Sequence, residues 1–449
     1  MAERPAVPPD APHHRIPLAH GLVGMVLFVG GGLLLVRAAD ALARGAWATP
    51  AILGAVHAFT LGWLLTLVVG TLYQLGPVAL QVTPRAPGIW PWLLPPHTVG
   101  VVIVTWGVSV GRHDVAAFGW LLLVISTSAS AIVLLGPWRA PEKTRARMRL
   151  VTLGFLALGV TLLLAASRLL WGWQGFVPVI SSLRLAHIAF GLVGFGTVIA
   201  WALGSHVLPM FLGTRAHTST ATRWIPGLLL GGATLLLPTL FSGLAALQAV
   251  AVMVMAAGQG LIVWQGLQWF RNRANRALDP ALTAVAIAFV ALLLATVLQV
   301  VLAVGALSGV LWLAHGVWSR SVTIWGVLFL AGWLAMLIAG VLLRVFVFLS
   351  WMVRAGPGAR PAGHGPVRVS QFSRPSLAWL CVALFAVSLL LLCVTIAAGS
   401  ASGAQFAAGL YSTAAIVLLL HHALALFAPP RDTVAALPLS SPPLAPSPH

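Results

Sequence analysis

Two histidines lie inside long apolar stretches and carry the clearest chemical signal in this sequence. His57 begins the segment HAFTLGWLLTLVVGTLYQLGPV, and His187 begins HIAFGLVGFGTVIAWALGSHVLPMF. A neutral imidazole is costly to bury in hydrocarbon unless its nitrogens are engaged, and the iron of a haem engages one nitrogen strongly. The second nitrogen then donates to a carbonyl or hydroxyl oxygen, which fixes the tautomer. A facing pair therefore predicts haem b, or alternatively copper, bound by His57 and His187.

Small and basic residues near the two histidines are consistent with the same hypothesis. Glycines follow each histidine and would leave room for a flat macrocycle, although glycine also serves close helix packing in membranes. Arg184 lies one turn before His187, and Arg168 ends the preceding predicted helix. Either arginine could pair with the carboxylates of a haem, and either could instead be an interfacial anchor. Each histidine could likewise simply bond a neighbouring helix.

The other reactive residue types give weaker signals. All seven acidic residues fall in predicted tails, loops or helix edges, which weighs against a proton pump or an ion-driven transporter because these use intramembrane carboxylates. Cys381 and Cys393 share one apolar stretch and are expected to be small buried hydrophobes. No catalytic residue is predicted. The histidines expected at helix ends, near water, are His20, His97, His113, His206, His315, His421 and His422.

The elements that position these residues follow from the composition. Of 449 residues, 60% are hydrophobic and only 7% are charged, whereas soluble domains carry about 25% charged residues. A soluble fold is therefore strongly disfavoured. The apolar runs are long and continuous, which is typical of spanning helices and not of short alternating strands. The chain is predicted to be an all-α, polytopic membrane protein of about 12 transmembrane helices.

Apolar runs between charged or Pro/Gly-rich breaks locate the twelve helices. A single transmembrane domain is predicted over residues 17–428, between a cytoplasmic N-terminal tail at 1–16 and a disordered, Pro/Ser-rich C-terminal tail at 429–449. The predicted helices are 17–38, 48–80, 92–111, 115–138, 149–171, 182–212, 224–242, 244–270, 281–307, 321–352, 376–399 and 404–427.

The positions of the basic residues predict the orientation. Loops after even-numbered helices carry 15 Lys and Arg residues, whereas loops after odd-numbered helices and their edges carry 6. Because basic loops stay on the cytoplasmic side, both termini are predicted to be cytoplasmic in a bacterial-type inner membrane. The net charge of +18 therefore reflects topology and does not indicate nucleic-acid binding. His57 and His187 are then expected at similar depth in the periplasmic half.

An internal repeat relates predicted helices 2, 6 and 10. Helix 2 matches helix 10 at an offset of 270 residues, and it matches helix 6 more loosely at an offset of 132 residues. In the match to helix 6, His57 aligns with the residue two positions after His187. The relation suggests three groups of four helices. The helix 2 residues with an identical partner in helix 10 are Phe59, Gly62, Trp63, Leu64, Leu67, Gly70 and Leu72.

These features together resemble the haem-copper oxidase subunit I superfamily, including its nitric oxide reductase members. The segments HAFTLGW and HIAFGLVGFG are also similar to oxidase-like membrane proteins and to the haem- and copper-containing nitric oxide resistance membrane proteins. The resemblance implies an oxidase-like fold with a pseudo-threefold arrangement of helices. It further implies that His57 is an axial ligand of a low-spin haem and that His187 is a copper ligand.

Departures from this family limit what the resemblance implies. Helix 10 of the family supplies a histidine pair, whereas predicted helix 10 (SVTIWGVLFLAGWLAMLIAGVLLRVF) has no histidine and places Val327 opposite His57. The stretch from Trp224 to Ser242 corresponds to the copper-binding helix 7 and also lacks histidine, while Gly191 stands where many oxidases have tyrosine. A complete binuclear oxygen-reducing site is therefore not expected.

Three functions from different classes are consistent with these residues. The first is a haem b-binding membrane protein that acts in electron transfer, gas sensing or NO-related defence, served by a separate redox subunit or cytochrome. The second is a membrane transporter of a small substrate, a metal or haem, in which the histidines are transient ligands. The third is a structural or assembly partner without a cofactor. An optical spectrum of the purified protein distinguishes the first from the others.

Overall fold

The structure is a computed structural model, and it describes residues 14–136, 139–171, 180–214, 220–308, 315–355 and 367–431. Twelve helices in this part of the chain are long and apolar enough to cross a membrane, and no strand occurs among the described residues. The predicted all-α polytopic fold is confirmed. Most of the two predicted terminal tails lies outside the described residues.

The twelve spans follow one another along the chain with short connections. Because their number is even, α1 begins and α12 ends on the same face of the bundle, which we call the terminal face. The spans are α1 (Arg15–Arg37), α2 (Pro50–Leu80), α3 (Pro87–Ser109), α4 (His113–Leu134), α5 (Glu142–Ser167), α6 (Ser181–Leu212), α7 (Thr220–Ser242), α8 (Ala245–Arg271), α9 (Pro280–Leu307), α10 (Gly316–Ala355), α11 (Pro375–Ala398) and α12 (Ala401–Phe427).

Helix α5 begins earlier than predicted, at Glu142 rather than near residue 149, so most of the basic cluster RAPEKTRARMR is helical. A carboxylate in the first turn favours this start because it stabilises the positive end of the helix dipole. The added turns also bind α2. Thr144 Oγ1 donates to the carbonyl oxygen of Leu80 at 2.8 Å, and Arg147 Nη1 donates to that of Ala79 at 3.0 Å. The start of α5 therefore caps the C-terminal end of α2.

Helices α2, α6 and α10 form the centre of the bundle. Between 72% and 78% of their apolar stretches is buried, against 33% to 50% in the other nine described spans. Each contains a π-helical segment, at Ala58–Leu65, Ala189–Thr197 and Val327–Ala335, a conformation that is frequent at functional sites. The segments meet at Gly196, where a Cβ atom would lie 3.1 Å from Leu334 of α10 and 3.2 Å from Leu64 of α2.

The same packing recurs around each central helix. One glycine of each π segment lies between the preceding and the following span. A Cβ added to it would be only 2.6 to 3.0 Å from a side-chain carbon of the preceding span. Helices in membranes use such small residues to approach each other closely. The three groups are Gly62 with Leu27 and Val101, Gly194 with Ala157 and Leu230, and Gly332 with Ala291 and Leu389.

An aromatic pair near each of these glycines repeats the pattern. A phenylalanine of the preceding span packs on an aromatic ring of the π segment, with ring centroids 4.3 to 5.6 Å apart, the spacing of favourable aromatic pairs. The pairs are Phe28–Trp63, Phe155–Phe195 and Phe289–Trp333. The described contacts thus place the spans before and after each central helix in three similar groups, in a pseudo-threefold arrangement.

An ion pair joins a central helix to its neighbours. Arg344 of α10 donates from Nε and Nη2 to Oδ2 of Asp279, at 3.0 and 2.6 Å, and from Nη1 to the carbonyl oxygen of Phe211 at 3.0 Å. Asp279 also caps α9, because its Oδ1 accepts the backbone N–H of Leu282. One guanidinium of α10 therefore links the C-terminal end of α6 to the N-terminal end of α9.

Candidate functional site

The structure brings His57 and His187 side by side between α2 and α6. Their ring centroids are 6.4 Å apart, and the ring planes are inclined by 32°. His57 immediately precedes the first π segment, and His187 lies two residues before the second. Both occur in the first half of helices that begin on the face opposite the terminal face, so the pair is nearer to that opposite face.

Each imidazole has one nitrogen bound to a backbone carbonyl. His57 Nδ1 lies 2.7 Å from the oxygen of Leu53, one turn earlier on the same helix, and His187 Nδ1 lies 3.2 Å from the oxygen of Thr161 on α5. A carbonyl oxygen only accepts, so each neutral ring carries its proton on Nδ1. Nε2 is then left as a lone pair in both rings. The arrangement is compatible with metal ligation, in which the other nitrogen of the histidine donates to a carbonyl or carboxylate.

Neither histidine side chain is fully buried. His57 and His187 each keep part of their accessible surface and are half-buried. A lone pair on Nε2 that faced hydrocarbon would be unsatisfied, which is costly, so each Nε2 calls for a polar partner, a ligand or ordered water.

The separation of the rings fits one metal between them. A metal–nitrogen bond of about 2.0–2.1 Å, with about 1.2 Å from the nitrogen to the ring centre, puts two rings on opposite sides of one metal about 6.4 Å apart. The same bonds at a tetrahedral angle would put the ring centres only about 5.2 Å apart. The observed 6.4 Å is therefore compatible with one metal held by both rings from opposite sides.

Among the residues that the structure describes, no three or more His, Cys, Asp or Glu side chains lie together as a metal site, so no third ligand of these types accompanies the pair there. On α10, the residue aligned with His57 is Val327, which is buried. A metal held by His57 and His187 would need further ligands, and the macrocycle of a haem would supply four nitrogens. Two histidines therefore suit a haem better than a copper ion held by protein side chains alone.

Of the two arginines predicted near the site, the structure describes the side chain of Arg184 and not that of Arg168. Arg184 lies one turn before His187, and its guanidinium carbon is 6.0 Å from the ring centroid of Trp47 in a cation–π contact. Trp47 belongs to the connection between α1 and α2, so this contact joins the entrances of the two helices that carry the histidines. The side chain of Arg168 lies outside the described residues. Pairing of Arg184 with a haem carboxylate stays a prediction.

Four histidines expected near water are instead buried. His20, His97, His421 and His422 expose 6% of their surface or less. Each has a protein partner; for example, His20 Nδ1 lies 2.9 Å from the carbonyl oxygen of Ile16, and His97 Nε2 lies 3.0 Å from the hydroxyl of Thr66. The expectation of contact with water is wrong for these four, because bonds to neighbouring carbonyl, hydroxyl and amide groups replace those to water.

Two groups that contribute to the site cannot be recognised from their residue types. The carbonyl oxygens of Leu53 and Thr161 orient the imidazoles, and every residue has such a carbonyl. Thr161 lies 26 residues before His187 on another helix, so only the packing of α5 on α6 reveals it. For Leu53, the spacing of four residues before His57 is the one available clue.

No protein-family model matches the chain, and no curated protein matches it. What the site does must therefore be argued from its own geometry and chemistry.

Proposed function

We propose that this protein binds one haem b between α2 and α6, with His57 and His187 as the two axial ligands, and that it acts in electron transfer. The observation that carries the proposal is the ring separation of 6.4 Å together with an Nδ1–carbonyl bond on each imidazole. The haem would be one that is bound without covalent attachment, such as haem b, because the chain has no CxxCH motif.

The residues at the site explain why electron transfer is the leading activity. A bound haem supplies a one-electron couple whose potential depends on its axial ligands and its surroundings. His57 and His187 would both hold the iron, which would leave no coordination position open to a substrate. Oxygen reduction would need a second metal beside an open face, and no group of metal-ligating side chains accompanies the pair in the described part of the chain. Gas sensing or NO-related defence would require one histidine to leave.

We further propose that the chain lies in a bacterial-type inner membrane with the terminal face toward the cytoplasm. The 15 to 6 distribution of basic residues supports this orientation. The His57 and His187 pair is then nearer to the periplasm. An electron partner, either a separate redox subunit or a cytochrome, would exchange electrons on that side.

The test is an optical spectrum of the purified, detergent-solubilised protein. We expect the sharp reduced α-band of a six-coordinate haem b, and we expect both His57→Ala and His187→Ala to lose that spectrum because each removes an axial ligand. His113→Ala is the matched control, since His113 is exposed at the start of α4, and it should keep the spectrum.

Two results would overturn the proposal. An unchanged six-coordinate spectrum in both variants would place the haem elsewhere. A parent protein without haem, even after expression with added haem precursor, would favour a transporter in which the histidines are transient ligands of a metal or haem. Uptake of such a substrate into vesicles would then be the next measurement.

A further inference from the structure

Each central helix carries a polar residue twelve positions after the glycine that packs between its neighbouring spans. All three helices end on the terminal face, so these polar residues lie in the half of the bundle nearer to that face. The repeat therefore gives the three groups of helices one corresponding polar position each. The three residues are Gln74, His206 and Arg344.

In the first and third groups, this residue has a complementary partner at the start of the preceding span. Gln74 Oε1 lies 3.3 Å from Nδ1 of His14, the residue before α1. Arg344 Nη2 lies 2.6 Å from Oδ2 of Asp279, the residue before α9. A donor faces an acceptor in one pair, and a cation faces an anion in the other. Each pair is therefore satisfied within the protein.

In the second group, both residues are basic. The charged neighbour of His206 is Arg147, in the second turn of α5. Arg147 Nη1 donates to the carbonyl oxygen of Ala79 at 3.0 Å, which fixes the guanidinium but does not balance its charge. Among the described residues, the three ion pairs include neither side chain. A partly buried charge without a counter-ion is costly, so this position calls for an anion.

The two basic side chains lie close to the boundary between lipid headgroups and hydrocarbon. α6 has 32 residues, or about 48 Å of helix, whereas the hydrocarbon core is about 30 Å thick, which leaves about 9 Å at each end. His206 is six residues before Leu212, where α6 ends, or about 9 Å along the helix. Both His206 and Arg147 are half-buried and thus partly accessible. The phosphate group of a phospholipid can reach this depth.

The outer side of α5 continues from this position into the hydrocarbon as an apolar stripe. Arg149 is exposed at the headgroup end, and Leu153 and Leu156 expose 40% and 62% of their surface four and seven residues later. Residues at this spacing share one side of a helix. A basic residue followed by apolar ones matches a phospholipid, whose phosphate group precedes its acyl chains. A free phosphate ion would leave the apolar stripe unused.

We propose that an anionic phospholipid binds between α5 and α6 at the terminal face, with its phosphate group at Arg147 and His206 and an acyl chain along Leu153 and Leu156. Arg147 supplies charge-assisted hydrogen bonds, and His206 supplies an N–H donor. Basic pockets between transmembrane helices are known sites for anionic headgroups. The lipid provides the negative charge that Asp279 provides in the third group. This site is independent of the proposed haem.

The test measures binding of phosphatidylglycerol to the purified protein in an uncharged detergent. The melting temperature is followed by tryptophan fluorescence while dioleoylphosphatidylglycerol is added, because a ligand that binds the native state raises this temperature. We expect an increase with this lipid. We expect none with dioleoylphosphatidylcholine, which has no net charge, and none with inorganic phosphate, which has no acyl chain.

Removing the guanidinium tests its part in the site. Arg147→Gln should bind phosphatidylglycerol about fivefold more weakly, which is the effect of one basic residue near an anionic membrane surface. Arg271→Gln is the matched control, because it removes the same charge from an exposed residue at the end of α8, on the same face. Its binding should equal that of wild type.

A second variant supplies the carboxylate that the second group lacks. In His206→Glu, the new carboxylate should pair with Arg147, as Asp279 pairs with Arg344. Without lipid, this variant should therefore melt at a higher temperature than wild type. Its melting temperature should no longer respond to phosphatidylglycerol, because the carboxylate takes the place of the phosphate group and repels it.

Four results would overturn the proposal. Equal stabilisation by inorganic phosphate would show that the occupant is a free anion. An equal loss of binding in Arg271→Gln and Arg147→Gln would show attraction to the whole basic face instead of a site. An unchanged response to lipid in His206→Glu would place the lipid elsewhere. A lower melting temperature of His206→Glu without lipid would show that Arg147 does not lack a counter-ion.

Discussion

Replacing Gly332 with alanine tests the close approach of α9 and α10. An added Cβ would lie 2.6 Å from Cβ of Ala291, whereas carbon atoms in contact prefer about 3.5–4.0 Å. Both are β-carbons fixed to the backbone, so no rotamer change relieves the clash, and the helices must separate by about 1 Å. A gap of that size removes roughly a quarter to a half of the dispersion attraction of each atom pair that it opens.

We therefore expect Gly332→Ala to lower the free energy of unfolding by about 2 kcal/mol, within the usual range for overpacking. Gly194→Ala, with 3.0 Å to Cβ of Ala157, should cost about half as much. Gly326→Ala is the control on α10, since a Cβ there meets nothing within 4 Å. It should be neutral or stabilising by up to about 1 kcal/mol, because alanine favours a helix over glycine.

The assay is equilibrium unfolding in mixed detergent micelles with increasing dodecyl sulfate, followed by tryptophan fluorescence and circular dichroism. If Gly332→Ala is as stable as Gly326→Ala, the helices are not in contact at this glycine. The argument for three equivalent groups of helices would then fail with it.

Three further predictions concern the ion pair, the orientation and the activity. Arg344→Met and Asp279→Asn should each lower the unfolding free energy by about 1–3 kcal/mol, because each leaves a partly buried charge unpaired. The double variant should lower it by less than the sum of the two single effects. Strict additivity would show that the pair does not interact. In a protein without its native cysteines, a cysteine introduced at Lys143 should resist an impermeant thiol reagent in spheroplasts, whereas one introduced at Asp114 should react. The opposite labelling would invert the proposed orientation. The isolated protein with a reduced donor should consume neither oxygen nor NO above the rate of autoxidation, as measured with electrodes, and steady turnover of either gas would show that a second metal site exists.

The sequence predicted the spans well because burial in a membrane needs long apolar runs and little else. It also singled out two histidines that lie side by side in the structure, since two imidazoles at similar depth stand out against an apolar background. Glycine spacing indicated the repeat, and Gly62, Gly194 and Gly332 occupy equivalent packing positions in the structure. These successes share one cause: each rests on residue types that hydrocarbon strongly selects.

Other features could not be predicted because they depend on backbone geometry or on distant neighbours. The three π segments have no residue signature, since a shift of the hydrogen-bond pattern uses groups that every residue has. His97 could be placed near a helix end, but its burial depends on Thr66 of a different helix. The early start of α5 depends on carbonyls at the end of α2, which the sequence of α5 does not contain.

The pseudo-threefold arrangement has a consequence for how a two-sided ligand site can arise. Equivalent positions of three elements related by a rotation meet only where they point at the common axis, as Leu64, Gly196 and Leu334 do. Away from the axis the contacts are head-to-tail, so two equivalent histidines there could not face each other. The offset that superposes Gly62 on Gly194 puts His57 opposite Ala189, and His187 stands two residues earlier. Two residues turn a helix by about 200°, which is close to a reversal of direction. The departure from symmetry is thus what lets the second imidazole lie beside the first.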